Sequence, residues 1–149
     1  MGEILLPLID LPTRDAGAPL PALYADDDQL ILAYRPGRGD GSVIVEFGGV
    51  FAHLFGLPND EAFSGHRYAR RWPKSGEFAC EVLRSQWIAD LCKRNRVHRN
   101  HSDRLFDGLR HLVLAFKDAT LEVAGRTYAW TRDVGHPQDC VVRRLAQRK

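Results

Sequence analysis

The sequence predicts an α+β domain: a mainly antiparallel curled sheet or half-barrel of about seven strands with one amphipathic helix at about residues 85–95. Three observations carry that expectation. Short apolar runs recur along the chain between clusters of Gly, Pro, Asp and Asn, which suit turns between strands. One stretch alone, after Ser85, places Trp87, Ile88, Leu91 and Cys92 at helical spacing. The 149 residues, 44% apolar and 27% charged, match one globular domain and argue against a disordered or fibrous chain.

The elements follow in order. Pro7, Pro12, Pro19 and Pro21 interrupt regular structure, so residues 1–22 are expected to form a Pro-rich arm laid over the domain. Leu30–Tyr34 and Ser42–Phe47 read as a hairpin joined by the turn-rich Arg35–Gly41. Gly48-Gly49 marks a bend before a third run, Val50–Phe55. Asn59 is placed to cap a short helical turn, with Asp60 and Glu61 where the helix dipole favours carboxylates. Glu77–Leu83 is the next strand, and Ser85 is a suitable cap for the helix to Asn95. Leu109–Phe116, Thr120–Ala124 and Thr127–Thr131 read as a three-stranded meander. Residues 141–149 form a basic tail expected to fray.

Several classes receive no support. No apolar run reaches the length of a membrane span, so no membrane partner is expected, and the Met1–Pro7 opening lacks the basic start of a signal peptide. Cys80, Cys92 and Cys140 are odd in number and widely spaced, which fits reduced thiols and a cytoplasmic location. No P-loop, dinucleotide fingerprint or GxSxG elbow occurs.

The charge is unevenly laid out. Residues 1–66 hold ten acids against three bases, and residues 67–149 hold eighteen bases against nine acids. Either the halves neutralise each other within the domain or a basic face is left for an acidic partner. Arg67, Arg70, Arg71, Trp72, Arg94, Arg96 and Arg99 are the candidate binding residues, because arginine and aromatics anchor interfaces. The same interleaving of arginine with Tyr68 and Trp72 suits a polyanion or single-stranded nucleic acid. His53, Asp60, Glu61 and His66 are the candidate catalytic set, since a carboxylate beside an imidazole can perform general acid–base work. His98 and His101, with His111 beyond, could contribute to a divalent metal site, although the neighbouring arginines oppose a dication and no cofactor is otherwise implied.

The segments Phe55-Gly56-Leu57-Pro58-Asn59-Asp60-Glu61-Ala62, Gly65-His66, Trp87-Ile88, Asn95-Arg96-Val97-His98, His101-Ser102 and Arg110-His111 together resemble a group of small bacterial single-domain proteins with no assigned activity. The resemblance covers roughly residues 45–125 and implies a bacterial, single-domain, cytosolic protein in which the Pro58–His66 loop and the His98–His111 segment belong to one design. Where that group carries a His-Asp pair, this chain has Lys117-Asp118, which puts in doubt any activity that needs the imidazole. The leading expectation is a non-enzymatic protein-binding protein of interaction or immunity type, using a charged face. A small His/carboxylate enzyme, metal-dependent or not, is the alternative, and polyanion binding a further one.

Overall fold

A computed structural model describes residues 2–18 and 21–148. The chain is α+β, with nine antiparallel strands in two sheets, neither closed into a barrel. One sheet has β2 (Ala22–Ala25), β3 (Leu30–Tyr34), β4 (Ser42–Gly48) and β9 (Thr127–Asp133), in that order. The other contains β1 (Ile4–Pro7), β5 (Ala52–Gly56), β6 (Ala79–Leu83), β7 (Arg110–Ala115) and β8 (Thr120–Gly125), in the order β1-β6-β7-β8-β5.

Strand periodicity explains the layers. Leu30, Leu32 and Tyr34 on β3 pack with Val43, Val45 and Phe47 on β4 against Leu112, Leu114, Leu121 and Val123 of the other sheet. The alternate β3–β4 residues Ile31, Ala33 and Ile44 face the opposite way, onto Cys140 and Val141 of helix α2 (Pro137–Ala146). β3 is therefore buried on both faces, which is why its sequence is apolar without alternation. On the outer face of the five-stranded sheet, Val82 and Val113 are roofed by Tyr68, Trp72 and Leu5.

The strand count and layout correct the expectation of one curled sheet with seven strands. β1 and β2 are the two additional strands, both at sheet edges and both beside prolines, where a ladder tolerates missing donors. The N-terminal segment is consequently more than an overlying arm. β1 pairs with β6, Leu8 and Leu11 enter the core, and Tyr34 donates to the Pro12 carbonyl at 2.5 Å. Pro19 of the expected arm, and Lys149 of the expected tail, lie outside the described residues.

The meander is also corrected. β7 and β8 pair, but β9 leaves them for β4 in the other sheet. Gly48 and Gly125 meet at this crossing, where a side chain at Gly48 would strike Thr127 Oγ1 and the Arg126 N–H donates to the Gly48 carbonyl at 2.9 Å. The basic tail is helix α2 rather than a fraying end; Arg144 and Arg148 pair with Glu46, tying it to the sheet. α2 is thus a second helix beside α1 (Gln86–Asn95), which begins at the expected Ser85 cap.

Candidate functional site

On the outer face of the five-stranded sheet lies a buried polar relay. Outward-facing positions on β7 and β8 carry His111 and Glu122, and the short 3₁₀ turn Asp60–Gly65 brings His66 down onto them. Glu122 Oε1 accepts from His111 Nε2 at 2.7 Å, and Oε2 accepts from His66 Nε2 at 3.1 Å. Arg67 adds a contact at 3.3 Å. Beyond His111, the Ser85 hydroxyl donates to Nδ1 at 2.7 Å while accepting the Ile88 N–H as the cap of α1. Beyond His66, Nδ1 accepts the Tyr68 N–H. Burial pushes the Glu122 carboxyl up, but the hydrogen bonds of His111 and His66, aided by the Arg67 charge, prevail and hold it well below the ordinary carboxylate range.

The connectivity Ser85–His111–Glu122 has the outline of a serine-hydrolase relay, and Ser85 follows a strand and opens a helix, with Arg84 in the left-handed region at φ 56°. In this relay the histidine is enclosed: His111 is fully buried between the rings of Trp87 and Tyr68. His111 Nδ1 accepts from Ser85 and its Nε2 donates to Glu122, while His66 Nδ1 accepts from the Tyr68 N–H and its Nε2 donates to Glu122, so every ring nitrogen of the pair is hydrogen-bonded within the protein. The relay joins β7, β8, the 60–68 segment and the start of α1, and acts as a polar lock.

Glu3 extends this lock. Its carboxylate accepts from the Tyr68 hydroxyl at 2.9 Å and from the Gln86 N–H at 2.8 Å, and pairs with Arg71 at 3.4 Å. Burial raises its pKa, but these bonds more than offset it and the net shift is downward.

The expected catalytic set is not assembled. His66 is in the lock, while His53 sits exposed on β5, and no hydrogen bond or ion pair joins it to Asp60, Glu61 or His66 among the described residues. Asp60 and Glu61 open the 3₁₀ turn, which Asn59 caps by accepting the Ala62 N–H at 3.0 Å. The expected metal trio separates as well: His111 belongs to the lock, and His98 Nδ1 accepts the Asn100 N–H. His101 instead pairs with Asp103, which also accepts from the Cys92 thiol, at the 3₁₀ turn Asp103–Phe106. Cys92, which shares helical spacing with Trp87 on α1, is half-buried. Cys80 is buried in β6, where burial pushes its thiol up to about 12 and leaves it inert.

Of the expected binding residues, Arg67 and Arg71 are half-exposed beside Glu122 and Glu3, and Arg96 pairs with Asp103. Arg70, Arg94 and Arg99 are exposed and carry no ion pair among the described residues. Trp72 packs edge-on against Phe63 and donates to the Glu77 carbonyl. Among the described residues, the Arg–Glu pairs Glu3–Arg71, Glu46–Arg144 and Glu46–Arg148 cross between the acidic and basic halves.

A feature that sequence reading missed is the open edge of β5. β5 pairs with β8 on one side only, and His53, Leu54 and Phe55 are all exposed. Leu57, 87% exposed, continues the apolar strip, and Leu54, Leu57, Pro58, Ala62, His66 and Arg67 line a groove of about 510 Å³. At the other end Phe51 shares a hollow of about 320 Å³ with Leu91, Arg94 and Phe106. On a third side, Asp26–Asp28 border a hollow of about 440 Å³ with Phe51 and His53. The signal for an edge was present in the sequence as an apolar strand without protecting lysines, but its order in the sheet was not.

Compared with known protein families, with curated proteins and with solved structures, the chain matches none of them.

Proposed function

We propose that this chain is a non-enzymatic protein-binding module that receives its partner along the open edge of β5. The observation that carries the reading is the strip Phe51–Leu57: an unpaired strand edge with exposed apolar side chains and an arginine at each end, Arg67 and Arg94. An extended partner segment can add a strand there, with main-chain bonds supplying affinity and apolar pockets supplying selectivity. The two arginines favour acidic residues at the ends of that segment, and Asp26–Asp28 beside Phe51 bias its orientation.

Against the acid–base alternative stand the full enclosure of His111 and the lack, among the described residues, of any hydrogen bond or ion pair joining His53 to Asp60, Glu61 or His66. The polyanion reading loses its stacking surfaces, since Tyr68 is enclosed and Trp72 is packed against Phe63. The test is capture from a lysate of the source organism, comparing the unaltered chain with Leu54→Lys and Leu57→Asp at matched thermal stability. The expected result is a stoichiometric protein held by the unaltered chain, weakened at high salt and lost with both substitutions. A partner retained by both variants, recovery of nucleic acid alone, or no partner at either salt would overturn the reading.

A further inference from the structure

The geometry points to a zinc-class dication site where the end of α1 meets the 3₁₀ turn Asp103–Phe106, with Cys92 Sγ, His101 Nε2 and Asp103 Oδ1 as ligands. One ligand atom from each of the three residues lies within 4.8 Å of the others. Tetrahedral zinc with bonds of about 2.0–2.3 Å requires roughly 3.6 Å between sulfur and oxygen ligands and roughly 3.3 Å between nitrogen and oxygen. Cys92 Sγ is already 3.5 Å from Asp103 Oδ1. His101 Nε2 is 2.6 Å from the same oxygen, a distance set by the proton between them. Replacing that proton with an ion opens the pair by about 0.7 Å, within the reach of one side-chain adjustment.

The surroundings offer contacts of the kind that support metal ligands. The Asn95 side-chain NH2 donates to His101 Nδ1 at 2.9 Å, and turning that amide so that its oxygen accepts the Nδ1–H would free Nε2 to ligate an ion. Arg96 lies 3.2 Å from Asp103 Oδ2 and 3.4 Å from Oδ1. Its bond to Oδ2 orients the carboxylate, and the single positive charge is outweighed once a thiolate and a carboxylate both face the ion. Mixed sulfur, nitrogen and oxygen donors select zinc over magnesium or calcium. Cys92 and Asp103 also line a groove of about 480 Å³ with Ser85, Ile88, Phe106 and Asp107, so a bound ion is reached from solvent and keeps a fourth position for water.

The experiment uses full-length untagged protein, loaded with zinc, desalted and assayed for metal, and in parallel loaded with cobalt for absorption spectroscopy. The expected outcome is about one zinc per chain and a thiolate-to-cobalt charge-transfer band, with both reduced at least about tenfold in Cys92→Ser and His101→Gln. His98→Gln, outside the cluster, should retain both. Zinc retention by the unaltered chain no greater than that of Cys92→Ser would overturn the site, as would equal loss in His98→Gln. If Cys92→Ser fails to fold, the cobalt spectrum of the unaltered chain decides alone: a band without thiolate character, or none, overturns it.

Discussion

Glu122 and Asp103 are held by the same kinds of neighbour, two imidazoles and Arg67 at Glu122 and one imidazole and Arg96 at Asp103, and both carboxyls are pulled below their ordinary range. The Asp103 carboxyl lies at about 2, chiefly through the His101 hydrogen bond and then Arg96. What separates them is water. The Glu122 side chain is 10% exposed and that of Asp103 is 62% exposed. A charge without solvent must have every lone pair answered by the protein, so its cluster becomes part of the fold. A solvated cluster contributes little to folding and keeps its ligand atoms available.

The largest consequence concerns Glu122→Ala, which strands two buried imidazole N–H groups and should cost about 3–5 kcal/mol by urea unfolding. The same carboxylate makes stability depend on acid. Because its folded pKa is lowered from 4.5, its contribution is complete above about pH 4.5 and disappears as pH falls further. Thermal melts between about pH 5 and pH 3 should therefore fall more steeply for the unaltered chain than for Glu122→Gln. A parallel fall in both would remove Glu122 as the acid-sensitive group. Ser85→Ala comes next, at about 1–2 kcal/mol, through loss of the α1 cap and of the donor to His111. Asp103→Asn should cost less than about 1 kcal/mol while abolishing zinc retention. A large destabilisation there would mean that the two clusters do not differ in the way their exposure implies.

Local features were legible in the sequence. The Asn59 and Ser85 caps, the β3–β4 hairpin and the start of α1 each depend on residues within a few positions, and each forms where expected. The relay was not legible, because His66 and Glu122 are 56 residues apart and only the β7–β8 register sets Glu122 beside His111. His66 and His111 were both singled out, but in separate clusters and without Glu122 or Ser85. β1 and β2 were hidden by their prolines, which are permitted because both strands are edges. Assigning β9 to the wrong sheet followed from treating Gly125-Arg126 as a hairpin turn, when it is the corner where the chain changes layers. Helix α2 was missed because its apolar residues, Cys140, Val141 and Leu145, are few among arginines.

Amide hydrogen exchange on the full chain, alone and with its captured partner, tests the division between lock and binding edge most directly. Exchange should slow in β5 and the adjoining Phe51–Leu57 strip, with β7 and β8 well protected in both states. Protection that appears elsewhere while the β5 amides exchange unchanged would contradict it.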